Sequence, residues 1–502
     1  MTAYLKRLVS SLAAYQVADL VSKFMAVLLL PVYTRYISPA GYGTVELLGN
    51  GVIFISILVR FGMIEAFLRY HFADEDQAHR DALARRAVGF LLAVTTVASA
   101  VLAAGAVPLS RLVLGYSDPT IFLIAVLGLW AFTNLELAYG LLRVEERLRT
   151  YATASLINVG LTIVASVVLV VGLGDGARGL LLANYGVSTL VLIGLWWTMR
   201  DRLLPWRARR SASRCGRGVE RMAVLLRFGL PTVPAEASVY ALSIIDRYYV
   251  YHHRSPALAG LYSIAVKLAG AVAFIVRAFQ YAWPPLAYSI SDDRDASRLY
   301  GLVTTYYVML SGWVVAGLAL LGRWVVRILA APSYYDAYRA LPWLALGWAL
   351  YGLWVVFLVI AGRAKVTTRN FPAALSGLVA NVVLLLLLVS PLGIAGAGIA
   401  LCGAYAVMLT VMHLLTRRMF RVQFEWRRLA HLALVMGAVA VAGDLLLPTH
   451  GVVGFATRLI AFLLIPPALL VTGFVHAQEL GQAKALIARV ARSSPSPAGD
   501  TA

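Results

Sequence analysis
Long apolar stretches, interrupted at intervals by short clusters of charge, run through this chain from end to end. Runs long enough to span a bilayer fall near 9–32, 44–68, 87–108, 120–142, 151–172, 178–199, 222–250, 258–290, 300–322, 338–361, 371–390, 393–416, 429–447 and 452–475. Most reach the roughly 20 residues that a spanning helix needs. Two are irregular: 222–250 is broken by Pro231 and Pro234, and 429–447 is short. The polar gaps are brief, the longest being the arginine-rich stretch from Arg200 to Glu220. That stretch has no apolar face and reads as a solvated, topology-setting loop near anionic lipid heads. The pattern predicts an all-α polytopic membrane protein of about fourteen transmembrane helices, with no room for a soluble catalytic domain on either side.

Composition agrees. Of the 502 residues 61% are hydrophobic and 14% charged, with a mean hydropathy of +0.78, so lipid is the expected solvent. The net charge of +20 would suit a nucleic-acid partner, but the basic residues occupy the gaps between apolar runs, which excludes one. Their distribution instead sets sidedness. With the N-terminus inside, 31 of the 44 Lys+Arg fall on the cytoplasmic side. Nine fall on the other side, Arg247 and Arg458 among them, and four lie within spans. This is the bias of the positive-inside rule, and it predicts cytoplasmic N- and C-termini. Lys6 and Arg7 before the first span read as the start of a retained signal-anchor. Beyond Val475 the pattern allows one short amphipathic turn and then a Ser-Pro stretch of disordered character. Cys215 and Cys402 have neither a disulfide partner nor metal-ligand spacing.

The chain also repeats itself. Ser38-Pro39-Ala40-x-x-Gly43 returns as Ser255-Pro256-Ala257-x-x-Gly260, displaced by 217 residues. The same displacement carries Arg60 onto Arg277 and Gly176-x-x-Gly179-x-x-x-Ala183 onto Gly393-x-x-Gly396-x-x-x-Ala400. An even number of spans separates the copies, so they share one orientation, with an axis along the membrane normal and a cavity between two six-helix lobes. The expected organisation is an N-lobe over 1–217, a C-lobe over 218–425, two further helices over 426–475 and a cytoplasmic tail over 476–502.

Charges inside spans are costly, about 2.5–3.5 kcal/mol each on insertion scales, and should face protein or water. Lys23 shares a face with Asp19 and Gln16 in the first span, and Arg60 shares one with Glu46 and Asn50 in the second. In the eighth, Ser263, Lys267, Gly270, Phe274, Arg277 and Tyr281 form a stripe. Lys23, Arg60, Lys267 and Arg277 are therefore the candidate lining of a central cationic cavity. Such a cavity suits an anion, and the planar arginine fork favours phosphate. Glu65, Glu136, Glu236 and Asp246 lie within or at the edges of spans. Asp19, Glu65, Glu236 and Asp246 are candidates for ion pairs or for a coupling ion.

Three motifs carry a resemblance: Gly62-x-x-Glu65-Ala66-x-x-Arg69-Tyr70, Ile245-Asp246-Arg247-Tyr248-Tyr249 leading to Gly260-Leu261-Tyr262-Ser263, and Gly393-Ile-Ala-Gly-Ala-Gly-Ile-Ala. Up to about Glu425 the chain resembles the polysaccharide biosynthesis (Wzx-type) flippases of the multidrug/oligosaccharidyl-lipid/polysaccharide exporter (MOP) superfamily, which implies the MATE-like fold. It departs from the O-antigen members in its two additional C-terminal spans. The resemblance implies a translocase of the bacterial inner membrane that carries a polyprenyl-diphosphate-linked oligosaccharide to the outer leaflet by alternating access. The product would serve O-antigen or exopolysaccharide synthesis, with membrane lipids and polysaccharide polymerase machinery as partners. No cofactor is expected, and coupling to a proton, to sodium or to membrane potential stays open. A lipid II flippase or a multidrug exporter of the same superfamily is an alternative, although a drug cavity should be richer in acids. A membrane polymerase or ligase would be an enzyme with a large external loop, which this chain lacks. No Walker-type loop, metal-spaced histidine pair or nucleophile motif is found, and His252-His253 reads as incidental.

Overall fold
A computed structural model describes residues 25, 27–71, 76–145, 147–200, 222–290, 292–364 and 369–474. Among these residues the chain is helical throughout, without a strand. Eleven helices are long and apolar enough to cross a membrane, and a bent pair, Met222–Leu242 with Ile244–His253 at 55°, is a twelfth candidate. The protein is a multi-pass membrane protein. The first predicted span lies largely outside the described residues.

Chain contacts define two compact units. The first takes the described parts of Met1–Leu268 with Val326–Ala340 and Leu378–Ala404. It contains α1 (Leu30–Tyr36), α2 (Pro39–Val59), α3 (Met63–His71), α4 (Gln77–Ala104), α5 (Ala106–Leu114), α6 (Pro119–Val144), α7 (Leu148–Ser166), α8 (Gly176–Thr198), α9 (Met222–Gly229) and α10 (Thr232–His253). The start of α11 (Pro256–Ser289) belongs to it too. Helix starts follow local chemistry. Asp118 accepts from the Ile121 N–H at 3.1 Å with Pro119 at the first helical position, and Asp76 accepts from the Ala78 N–H at 3.0 Å. Each side chain satisfies a donor that the helix itself leaves unpaired, and proline loses nothing at that position. Phe67, Leu83, Leu91, Leu142 and Leu192 pack in an apolar cluster of this unit.

The second unit takes Ala269–Val325, Leu341–Gly377 and the described residues from Tyr405 onward. It holds the rest of α11, most of α12 (Asp293–Leu329), α13 (Leu341–Arg363), both ends of α14 (Asn370–Thr416), α15 (Trp426–Leu446) and α16 (Gly451–Val471). Arg458 of α16 is fully buried. Its guanidinium donates to the carbonyls of Pro448 at 3.2 Å, Leu447 at 3.1 Å and Leu320 at 3.4 Å, and faces Asp444 at 3.4 Å. Counted with the outer-side cations in sequence, it is held inside the protein by carbonyls. On the same two helices Leu446, Val452 and Val471 are largely exposed, as lipid-facing positions should be.

Helix boundaries differ from the apolar runs where backbone chemistry intervenes. The run 44–68 is not continuous: α2 stops at Val59 and α3 starts at Met63, with Phe61 at φ 49° and Gly62 at φ 66° between them. The run 222–250 breaks after Gly229, next to Pro231. The run 87–108 is interrupted at Gly105 and extends back to Gln77. The runs 371–390 and 393–416 are two helical segments within the α14 stretch, divided by a kink at Gly393 (φ 59°, ψ −133°), a conformation essentially open only to glycine.

Candidate functional site
The site begins with a sharp helix start. Ser38 accepts from the Gly41 N–H at 3.1 Å and Pro39 takes the first position of α2. In the next turn Gly43 lies against the first turn of α11. A Cβ on Gly43 would fall on the Pro256 carbonyl, and a Cβ on Gly260 would fall on the Pro39 carbonyl. The two motifs that duplicate each other in sequence therefore meet reciprocally, backbone to backbone.

This close approach sets α2 side chains against α10 and α11. Lys267 Nζ lies 2.7 Å from Glu46 Oε1, donates to the Tyr42 hydroxyl and sits 4.9 Å from the Tyr42 ring centroid. One turn on, Asn50 Oδ1 accepts from Arg247 at 3.0 Å and from Tyr240 at 3.1 Å. Asn50 donates back to the Glu46 carbonyl at 2.6 Å. Lys267 and Glu46 also line a cavity of about 410 Å³ within this unit, together with Tyr33, Glu136, Tyr139 and Asn184.

A second cluster forms where two helices break. Gly62, after α2, and Gly229, at the end of α9, approach so closely that a Cβ on either would strike the other's backbone. Arg60, 8% exposed, lies just before this junction. Its guanidinium pairs with Glu236 of α10 and lies 4.0 Å from Glu65 of α3. Desolvated charges of this kind are tolerable only when compensated, and here they are.

Asp246 stands apart. It is buried, and its carboxylate accepts from the Tyr262 hydroxyl at 2.8 Å and from Asn381 Nδ2 at 3.0 Å. Both of these hydrogen bonds come from neutral donors, whereas Glu65 and Glu236 pair with Arg60.

Of the eight predicted positions, Lys23 and Asp19 lie outside the described residues. Arg60, Glu65 and Glu236 come together, and Lys267 belongs to the neighbouring cluster. Arg277 lies ten residues further along α11, in the second unit, half-buried and engaged by partners. Arg60 and Lys267 were expected to line a cationic cavity, with Glu65 and Glu236 among the acids that could pair with such cations; here each cation carries a carboxylate, because an uncompensated cation in such surroundings is too costly. Arg60, Arg247 and Lys267 are balanced here by Glu46, Glu65 and Glu236. The chemistry on offer is a set of exchangeable ion pairs. An anion reaching Arg60 or Lys267 competes with a carboxylate, and protonating that carboxylate releases the cation.

A family model described as polysaccharide biosynthesis protein matches residues 8–291. The chain belongs to this polysaccharide biosynthesis family. The match covers every candidate residue, including Arg60, Glu236, Asp246, Lys267 and Arg277. A search of curated protein sequences gives no match. Among solved structures, the family member is similar to the lipid II flippase MurJ in an inward closed conformation, with TM-score 0.68 and 13% identity, over 91% of this chain and 97% of that one. It is similar to an inward-facing multidrug resistance MATE family transporter of the MOP superfamily, with TM-score 0.63 and 16% identity, over 84% and 94%. The bent form of the Vibrio cholerae MATE transporter VcmN matches with TM-score 0.53 and 12% identity, over 86% and 98%. At such identities the likeness is one of fold, and the fold is MurJ/MATE-like.

Sequence reasoning placed Glu46 and Asn50 on the Arg60 face but missed Tyr42, Tyr240 and Arg247. A signal for Lys267 was present: the 217-residue displacement carries Asn50 onto Lys267, so equivalent positions of the two copies enter the same cluster.

Proposed function
We propose that this chain is a flippase that moves a polyprenyl-diphosphate-linked oligosaccharide from the cytoplasmic to the outer leaflet of a bacterial inner membrane, with both termini cytoplasmic. The observation that carries the reading is the pairing of two inward cations, Arg60 and Lys267, with displaceable carboxylates in a member of a polysaccharide biosynthesis family. The diphosphate displaces Glu236 from Arg60 and Glu46 from Lys267. The freed carboxylates take a coupling proton or sodium ion, and reversing the exchange releases substrate on the other side. A fixed open cation would hold the headgroup without a means of release. No bond is made or broken in this scheme, so the chain acts as a transporter and not as an enzyme. The sequence duplication fits an N-lobe over 1–217 and a C-lobe over 218–425, with 426–475 added.

The test is transport of a fluorescent polyprenyl-diphosphate oligosaccharide in proteoliposomes holding the full chain. Arg60→Ala, Lys267→Ala and Arg277→Ala should each cut the initial rate about tenfold or more, as loss of one charge-assisted phosphate contact implies. Wild-type rates in all three would sink the assignment. Glu46→Gln and Glu236→Gln should keep downhill exchange and lose the response to an imposed ion gradient.

A second reading has one observation in its favour. The cavity holding Lys267 also carries Glu46, Glu136 and the rings of Tyr33, Tyr139 and Tyr185, a lining suited to an aromatic cation once Lys267 is neutralised by Glu46. Efflux of a cationic dye by the same vesicles, abolished in Glu136→Gln, would favour multidrug export over the glycan.

A further inference from the structure
In the second unit, the linker between α14 and α15 is built as a rigid structure. Ser297 of α12 donates to the Arg421 carbonyl at 2.7 Å, and the Gln423 N–H donates to Ser297 Oγ at 3.2 Å. Gly301 lets the Gln423 carbonyl approach so closely that a Cβ there would strike it. Phe420 is buried edge-on against Tyr300, with ring centroids 5.5 Å apart.

Held this way, the linker closes a cavity of about 230 Å³. One wall is aromatic: Phe424 meets Phe357 and His413 at 5.8 Å and Trp426 at 5.4 Å. The other wall is cationic, formed by Arg417 and Arg421, both exposed. Between His413 and Arg428 the sequence has five arginines and one acid, Glu425. Arg428 engages both oxygens of Glu425 at 3.0 Å. Glu425 makes no side-chain cap at the start of α15, so the first N–H groups of that helix add positive potential beside the cavity. Trp426, 61% exposed, gives the same rim an apolar face.

We propose that this cavity binds the phosphate of an anionic phospholipid, with Arg417 and Arg421 as its ligands and Trp426 against the first part of the acyl chains. Paired arginines beside a helix N-terminus select phosphate, and the aromatic rim places that phosphate at headgroup depth. The net positive lining works against a zwitterionic lipid, whose ammonium would meet the same arginines. The site involves none of the transport residues above.

The experiment is native mass spectrometry of the purified full chain with phosphatidylglycerol, phosphatidylcholine or inorganic phosphate. Phosphatidylglycerol should stay bound under activation that strips phosphatidylcholine. Arg417→Ala/Arg421→Ala should lower its retention about thirtyfold, roughly fivefold per arginine. Arg427→Ala, in the same basic segment but outside the lining, should change it less than about twofold. Equal retention in the double variant, or an equal fall in Arg427→Ala, would overturn the site. Equal retention of phosphatidylcholine would overturn the selectivity. Displacement of the lipid by inorganic phosphate at equal concentration would assign a free anion in its place. Both guanidinium groups are exposed, so the variants should fold; if the double variant's Tm falls, the single Arg421→Gln carries the same expectation at about fivefold.

Discussion
Along α2 and the break that follows it, the chain meets a neighbour backbone to backbone at two levels, Gly43 against Gly260 and Gly62 against Gly229, and the two contacts are built by opposite means. At the first, both partners are regular helix starts opened by Ser-Pro and carrying no charge in the contact. At the second, both partners are broken, one residue outside glycine adopts a left-handed conformation, and Arg60, Glu65 and Glu236 gather around the gap. The levels are 19 residues apart, about 28 Å along a helix axis. The first contact resists change because it leaves no space. The second combines interrupted backbone with exchangeable charge, which is what a transporter needs where its walls must rearrange. Glycine serves both purposes, so glycine alone does not tell a fastening point from a moving part; the charge beside it does.

The largest effect should come from filling the first contact. Gly43→Ala places a Cβ on the Pro256 carbonyl, and backbone cannot step aside as a side chain would. We expect a loss of about 3 kcal/mol, read as a fall in the detergent-solubilised Tm. An unchanged Tm would mean that the helices do not cross here. Next is Arg60→Ala, which strands Glu236 and Glu65. Because Glu236 is partly exposed, the cost should be about 1–3 kcal/mol, with transport lost and Arg60→Lys recovering part of both. A double-mutant cycle on Glu46→Gln and Lys267→Met should give a coupling of about 1–2 kcal/mol, and a value near zero would remove the ion pair from the mechanism. The smallest effect should be Phe61→Asn. Asparagine tolerates the left-handed backbone that phenylalanine holds at a cost, but it loses the ring contact with Phe90, leaving a net change within about 0.5 kcal/mol. Tolerance at Phe61 beside intolerance at Gly43 would hold the two levels apart.

The membrane character and the helical class could be read from the chain because they rest on length and composition, and the family because motifs such as Ile245-Asp246-Arg247-Tyr248-Tyr249 carry a resemblance; neither depends on which helices become neighbours. Ser38-Pro39 and Asp118-Pro119 start helices by chemistry that is equally local. The interruption after Val59 could not be read from the chain, since no proline marks it and Phe61 is a poor candidate for positive φ; the packing of Gly62 on Gly229 imposes it. The ion pairs were hidden for a similar reason. A helix face shows that Glu46, Asn50 and Arg60 share a side, but not that Glu46 faces Lys267, 221 residues away, while Arg60 faces Glu236.

Arg458 bears on how the protein is made. Its partners are the Leu447 and Pro448 carbonyls just after α15, the Leu320 carbonyl of α12 and Asp444, so α16 carries a charge that only an already inserted neighbour can satisfy. Entering lipid alone, α16 would carry a penalty of about 2.5–3.5 kcal/mol. The last two helices should therefore partition from the translocon as a hairpin and wait for one another. A chain that ends after α15 would lack only its final crossing, whereas one with α15 replaced would strand α16 at the membrane surface.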